Sequence, residues 1–180
     1  MRKLAFPAIL AGCLAVVLVS GSFAFAKDGD KGDARATLTG YDEVTSISTV
    51  AKGTFRATVN GSTIRYTLRY QGIEGGTAFA AHIHFAQRHT NGGVSAFLCG
   101  GGDKPACPSP GGTVEGVVDA PDVIGPADRG IAAGQFAELV RAMRAGATYV
   151  NVHSQPSYPG GEIRGQIRIG NRGKGGGDDD

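Results

Sequence analysis

Three of the four histidines in this chain lie in two short segments in which polar and apolar residues alternate. His82 and His84 are two residues apart, and so are Asn151 and His153. Successive side chains of a β-strand point to opposite faces, so each pair is expected to share one face. Neutral imidazole is a common ligand for copper and zinc. The spacing therefore predicts that His82, His84 and His153 meet in one cluster.

Two interpretations of this cluster are open. In the first, the three imidazoles hold a copper or zinc ion at about 2.0–2.1 Å, with Asn151, Glu162 and Arg164 around them. In the second, the histidines bond backbone groups or Glu162 and fasten two strands together. The spacing alone favours the second, structural interpretation. His89 lies in a polar loop, where it is either an extra ligand or an exposed side chain.

The first 26 residues have the features of a signal peptide. A basic start at Arg2 and Lys3 precedes a largely apolar stretch, residues 4–19, and Ala24-Phe25-Ala26 is an A-x-A cleavage site. These features predict export to the periplasm or the extracellular space. The alternative is a lipoprotein cleavage box that ends at Cys13, but the apolar residues that follow Cys13 favour simple secretion. No transmembrane segment is expected in the mature chain.

The mature chain, residues 27–180, carries 16 basic and 16 acidic residues and is formally neutral. Overall charge therefore gives no reason to expect nucleic-acid binding. Both ends lack apolar residues, which predicts disordered segments at 27–33 and 170–180 around a single folded domain at 34–169. Cys99 and Cys107 are expected to form a disulfide in an oxidising compartment, at a gain of about 2.5 kcal/mol in the chain-entropy model.

Catalytic signatures are missing from the sequence. It contains no Ser-centred nucleophile elbow, phosphate-binding loop, dinucleotide fingerprint or H-E-x-x-H motif. Oxidised cysteines would also leave no thiol nucleophile. We therefore assign no catalytic residue and favour a protein that is not an enzyme.

The pattern between the two ends is mostly that of β-strands. Strands are predicted at 34–39, 52–59, 62–69, 78–85, 94–98, 113–118, 148–153 and 162–169. Such short, evenly spaced strands predict an antiparallel sandwich or barrel. One short amphipathic helix is predicted at about 134–145, because four apolar residues share one helical face: Phe136, Leu139, Val140 and Met143.

Cations recur on one face of the hairpin around Asn60-Gly61, a dipeptide that favours a type I′ turn. A turn at these two residues opposes Arg56 to Arg65 and Lys52 to Arg69. Directly opposed like charges destabilise a sheet. The face therefore needs nearby carboxylates or an anionic partner such as a polysaccharide or phospholipid. We favour a solvated face with carboxylates, for which the candidates are Asp42, Glu43 and Glu115.

Two pairs of segments resemble the motifs of the CHRD domain, the module repeated in chordin and found singly in secreted bacterial proteins. The first pair is Ala-His-Ile-His-Phe at 81–85 with Asn-Gly-Gly-Val at 91–94; the second is Tyr-Val-Asn-Val-His at 149–153 with Pro-Gly-Gly-Glu-Ile-Arg-Gly-Gln at 159–166. Residues 36–44 resemble the start of the family, so the resemblance covers about 34–169. It implies an immunoglobulin-like β-sandwich and little about activity. Our first hypothesis for function is a secreted or periplasmic, non-enzymatic binding or structural module at the cell surface, for which a cell-surface protein or polysaccharide is a candidate partner.

The His-x-His strand is also similar to the copper-binding strand of Cu/Zn superoxide dismutase. That family uses more histidines and an aspartate, so dismutase activity is not expected here. The second hypothesis for function is accordingly a protein that binds copper or zinc through its histidines. Its catalytic form would be a metal-dependent redox or hydrolytic enzyme.

Overall fold

The computed structural model describes residues 31–171, which form nine β-strands, one α-helix and three single-turn 3-10 helices. The strands are β1 (Lys31–Thr39), β2 (Lys52–Asn60), β3 (Thr63–Gln71), β4 (Gly76–Phe85), β5 (Gly93–Cys99), β6 (Gly112–Val118), β7 (Thr148–Pro156), β8 (Tyr158–Gln166) and β9 (Arg168–Asn171). The helix is α1 (Phe136–Arg144). The predicted signal peptide, Cys13 and the residues beyond 171 lie outside the described residues.

All strands pair antiparallel in one sheet, in the order β5-β4-β7-β8-β1-β2-β3-β6, and β9 pairs with β1. Tyr66 of β3 donates a buried hydrogen bond of 2.6 Å to the Leu98 carbonyl of β5. This bond links β3, near one end of the strand order, to β5 at the other end. The sheet is therefore nearly closed, and the prediction of an all-β antiparallel fold with one short helix is confirmed.

The core follows from strict alternation along β1, β2 and β3, in which every second side chain is buried. Leu38, Phe55 and Leu68 are fully buried and face the inside of the sheet. The apolar face of α1 covers part of this core with the four residues that the sequence predicted. Within residues 31–171, no helix is long and apolar enough to span a membrane.

Several strand ends differ from the prediction. β1 begins at Lys31, so residues 31–33 belong to a strand and not to a disordered segment. The strand predicted at 162–169 is divided into β8 and β9 on either side of Ile167, whose side chain is fully buried. β9 reaches Asn171 because it pairs with the start of β1.

The hairpin between β2 and β3 is present, but its predicted register is wrong by two residues. Asn60 pairs with Thr63, so the two turn residues are Gly61 and Ser62. Gly61 has a φ of 59° and Ser62 is not left-handed, which fits a type II′ turn with glycine at its first central position. A shift of two residues preserves both faces and changes every cross-strand pair.

Two predicted oppositions of like charge are therefore wrong. Arg56 pairs with Thr67 and not with Arg65, and Lys52 pairs with Gln71 and not with Arg69. Of the three candidate carboxylates, Glu115 lies on the outward face opposite Thr67, diagonal to Arg65 and Arg69. Asp42 pairs with Arg88 at 3.2 Å, and Glu43 is buried.

The predicted disulfide between Cys99 and Cys107 is confirmed. It joins the end of β5 to the loop before β6. Tyr70 of β3 donates a hydrogen bond of 2.6 Å to the Pro108 carbonyl in the same loop. Together, these two contacts hold the loop between β5 and β6 against the sheet.

Candidate metal centre

The pairing of β4 with β7 gathers the three predicted histidines. His82 pairs with Asn151, and Ala80 pairs with His153. His84 lies one step further along the same face of β4. Ile83 alternates with the histidines and is buried in the core on the other face. The alternation seen in the sequence thus places all three imidazoles on the face of the sheet opposite the core.

The three imidazoles are close enough to share an ion. His82 Nδ1 lies 2.9 Å from His153 Nε2, and one ring nitrogen from each histidine lies within 4.8 Å of the others. The centroids of the His82 and His84 rings are 5.3 Å apart. All three side chains are buried, with 6–8 % of each residue exposed. The predicted meeting of imidazoles from two separate strands is confirmed.

Backbone carbonyls fix the tautomers of two of the imidazoles. His84 Nδ1 donates to the Gly92 carbonyl at 2.9 Å, and His153 Nδ1 donates to the Pro159 carbonyl at 3.0 Å. A carbonyl can only accept, so the proton of each neutral ring is on Nδ1 and the lone pair is on Nε2. His153 Nε2 accepts from His82. His84 Nε2 is buried and makes no well-formed hydrogen bond with the described residues, although the Asn151 side chain is close enough to raise the pKa of His84.

Burial keeps these histidines neutral. It lowers the pKa of His82 to about 3, and the neighbouring His153 and His84 lower it further as like charges. Burial also lowers the pKa of His84 to about 4, although the bond to the Gly92 carbonyl acts against this shift. The pKa of His153 is lowered by burial as well. Each ring therefore offers a lone pair without first losing a proton at neutral pH.

A second group of polar side chains borders the histidines. Asn151 raises the pKa of His84 and lowers that of Glu43, so it lies between the two. Burial outweighs this contact and raises the pKa of Glu43 to about 7. Asn151 Oδ1 and Glu43 Oε1 are buried and have no hydrogen-bond partner among the described residues. Counting His84 Nε2, three buried acceptor atoms without a well-formed hydrogen bond therefore lie at or beside the cluster.

Gly161 makes this close arrangement possible. Its φ of 128° is left-handed, and a Cβ atom there would lie 2.5 Å from Glu43 Oε1 and 2.6 Å from Asn151 Nδ2. Only glycine allows the backbone of β8 to approach these two side chains so closely.

Arg164 supports the other side of the cluster through aromatic stacking. Its guanidinium lies 3.4 Å from the centre of the Tyr149 ring, and Tyr149 stacks on His84 with ring centroids 4.8 Å apart. The same guanidinium donates to the carbonyls of Gln87 at 3.1 Å and Thr90 at 2.9 Å. Arg164 therefore ties the loop after β4 over the face that carries the histidines.

A family model described as the CHRD domain matches residues 34–167 of the chain. This match covers most of the sequence and nearly all of the described sheet. The chain belongs to the CHRD domain family. No curated protein matches it. The two paired motifs that carried the resemblance are β4 with the loop that follows it and β7 with β8, which are the elements that build the histidine cluster.

Two predicted site residues of this CHRD domain lie away from the imidazoles. Glu162 is fully buried, but its carboxylate accepts from Ser154 Oγ and Thr49 Oγ1 and from the backbone N–H groups of Glu74 and Gly75. It therefore holds the loop before β4, and none of these hydrogen bonds joins it to a histidine. His89 is exposed, has a φ of 61°, and is not part of the cluster.

Alternation along β8 places Glu162 and Arg164 on the face opposite the inward-facing Ile163. Both are buried, because loops cover the outer face of β8. Tyr149 was not assigned to the site, although it precedes Asn151 by two residues and the alternation places both on one face. Glu43 was assigned only to the hairpin cations, since nothing local indicates that it would be buried beside Asn151.

Proposed function

We propose that this CHRD domain is a non-enzymatic binding module that holds a copper or zinc ion between His82, His84 and His153. One observation supports the proposal most: among the described residues, His84 Nε2 is a buried lone pair without a well-formed hydrogen bond, beside two further neutral imidazoles. A buried acceptor with no partner costs about 1–3 kcal/mol. A bound cation would remove this cost.

A proton is a poor substitute for the ion at this position. The pKa of His84 is about 4, so the ring stays neutral at physiological pH. The structural interpretation accounts for the bond between His82 and His153 and for the two bonds to backbone carbonyls. It leaves the Nε2 atom of His84 unexplained, and this is why we prefer the metal interpretation.

The donor set favours copper or zinc. Three imidazoles without a thiolate suit these borderline ions better than magnesium or calcium, which prefer oxygen ligands. His84 and His153 would bind through Nε2 while their Nδ1–H groups stay on backbone carbonyls, the arrangement that orients metal-bound histidines. Binding through His153 Nε2 would break the bond that this atom accepts from His82. His82 would then bind through Nε2 or, once its proton has moved from Nδ1 to Nε2, through Nδ1.

Elemental analysis of protein purified without a nickel column tests the proposal. We expect about one copper or zinc ion per chain, and its loss in His84→Phe, which keeps a ring stacked on Tyr149 but has no lone pair. His89→Ala removes an exposed imidazole and should retain the ion. Folded wild-type protein that is purified without metal and takes up neither ion on titration contradicts the proposal.

We further propose that the domain is exported and acts at the cell surface as a single module with an immunoglobulin-like sandwich arrangement. The disulfide between Cys99 and Cys107 supports an oxidising compartment, and the sheet with one apolar face supports the sandwich. Mass spectrometry of the processed protein tests export. A mature chain that begins at Lys27 supports cleavage by signal peptidase, whereas a lipid on Cys13 supports the lipoprotein alternative.

A further inference from the structure

Seven cations lie on the outward face of the sheet formed by β9, β1, β2 and β3, and we call this surface the basic face. Its members are Lys31, Arg35, Lys52, Arg56, Arg65, Arg69 and Arg168. Asp33 of β1 and Glu115 of the adjoining β6 are the acidic residues on the same side. The face therefore carries an excess of five positive charges, on a chain whose predicted mature form is neutral.

The pairing of the strands places like charges directly opposite each other. Arg35 pairs with Arg56 on one side and with Arg168 on the other, so three arginines form a row across three strands. Neighbouring strands are about 4.8 Å apart. Arg65 and Arg69 flank Thr67, the partner of Arg56, so Arg56 also has a cation on each diagonal. This arrangement opposes folding unless an anion offsets it.

Carboxylates of the protein offset only part of this charge. Asp33 and Glu115 line the same cavity as Arg56 and Arg65, but these two acidic residues face seven cations. Among residues 31–171, no ion pair involves any member of the basic face. Asp42, the nearest acidic loop residue in the sequence, is paired with Arg88 instead. Glu115 lies opposite Thr67 and therefore diagonal to Arg65 and Arg69, so it offsets part of their charge. The remaining excess of five positive charges favours an anion from outside the chain as the partner of this face.

The threonines on the basic face, and the absence of exposed aromatic side chains from strands β1 to β3, indicate which kind of anion would fit it. The threonines Thr37, Thr54, Thr58, Thr67 and Thr113 alternate with the cations and offer hydroxyl groups to hydroxyl-rich ligands. The aromatic residues of β1 to β3 (Phe55, Tyr66 and Tyr70) are all buried. The basic face therefore has no ring for stacking nucleic-acid bases. The half-buried Val117 of β6, opposite Arg65, is a single small apolar side chain and not the apolar surface that insertion into a membrane needs.

We propose that the basic face binds a linear polyanionic polysaccharide, with Arg35 and Arg56 at the centre of the contact. The arginine row presents guanidinium groups across three adjacent strands to the carboxylate or sulfate groups of such a polymer. The proposal does not depend on the metal centre, which is built by β4 and β7.

Binding of the full chain to heparin and to polygalacturonate, by calorimetry at 100 mM NaCl, tests the proposal. The double variant Arg35→Ser with Arg56→Ser should bind at least tenfold more weakly to whichever polymer the wild type prefers. The matched control, Arg129→Ser with Arg141→Ser, removes two exposed arginines outside the basic face and should stay within twofold of the wild type. Equal weakening in both double variants means that overall charge and not this face is responsible, and it overturns the proposal.

Three further measurements test whether the polymer binds at the basic face, whether its binding is independent of the metal centre, and whether the face prefers a polysaccharide to other polyanions. The polymer should raise the Tm of the wild type but not that of the Arg35/Arg56 variant, and the variant alone should have the higher Tm because it lacks the opposed charges. His84→Phe should bind the polymer as tightly as the wild type. The polysaccharide proposal can therefore be tested whether or not the metal proposal holds. Wild-type protein that binds neither polymer, or that binds duplex DNA or anionic phosphatidylglycerol vesicles as tightly, overturns the assignment to a polysaccharide.

Discussion

Glu162 shows how a single buried charge is accommodated in this domain. Its two carboxylate oxygens accept four hydrogen bonds, two from hydroxyl groups and two from backbone N–H groups. An ionised carboxylate is an acceptor at every lone pair, so it matches four donors without conflict. This match, and not a role beside the histidines, explains why the residue is buried.

We predict that Glu162→Gln destabilises the domain by about 2–3 kcal/mol. The amide group replaces one acceptor oxygen with an NH2 that points at donors, so at least one of the buried donors loses its partner. Urea unfolding followed by circular dichroism measures the change. Glu115→Gln makes the same substitution at an exposed site and should stay within 0.5 kcal/mol of the wild type, roughly the range of surface substitutions. Equal effects of the two substitutions would contradict this account of Glu162.

The sequence predicted the histidine cluster because strand alternation is local. Residues two apart share a face whatever the partner strand does, and this places His82 with His84 and Asn151 with His153. The hydrogen bond from Ser154 to Glu162 could not be predicted, because a register irregularity lies between Val152 and Ser154 where β7 pairs with β8. The burial of Arg164 depends on its hydrogen bonds to the Gln87 and Thr90 carbonyls, and no local sequence pattern predicts these contacts.

At the scale of elements, the hairpin shows where alternation stops being informative. Its period of two fixes which side chains face the core, and both faces of β2 and β3 were predicted correctly. Alternation cannot distinguish one register from another that is shifted by two residues, because the same side chains face the core in both. The conformation of the turn decides between the two registers. Because Gly61 is the first turn residue, Arg56 pairs with Thr67 and not with Arg65 as predicted.

Closure of the sheet depends on a small number of contacts between its ends, and we predict that Tyr66→Phe weakens it. The variant loses the bond from the hydroxyl to the Leu98 carbonyl and leaves that buried acceptor unpaired, at a cost of about 1–2 kcal/mol. Urea unfolding measures the cost. Amide hydrogen exchange should accelerate in β5 more than in the central strand β7.

Tyr41→Phe is the matched control, since the Tyr41 residue is 68 % exposed and its hydroxyl contacts only the exposed Ser48 side chain. It should leave both stability and exchange unchanged. If Tyr66→Phe does the same, the bond to Leu98 does not hold the two ends of the sheet together.

The stability of the whole molecule should respond to pH through two opposing sets of groups. The folded-state pKa values of His82 and His84 are about 3 and 4, below the ordinary value of 6.5. Below pH 6.5 the unfolded chain binds the extra protons, so their contribution to stability is complete above pH 6.5 and is lost as the pH falls through 4 and 3. Glu43 behaves in the opposite way, because its folded-state pKa of about 7 exceeds 4.5. Its contribution is complete below pH 4.5 and is lost as the pH rises through 7.

We therefore predict that His84→Phe and Glu43→Gln change the pH dependence in opposite directions. In metal-free protein, the gain in unfolding free energy between pH 4 and 6.5 should shrink by up to about 3 kcal/mol in His84→Phe, because one pKa unit corresponds to about 1.4 kcal/mol. Between pH 4.5 and 7.5, Glu43→Gln should gain up to about 3 kcal/mol relative to the wild type. Urea titrations at each pH give both values. His89→Ala removes an exposed histidine and should leave the profile unchanged; if it alters the profile as much as His84→Phe does, the pH response belongs to histidines in general and not to the buried cluster.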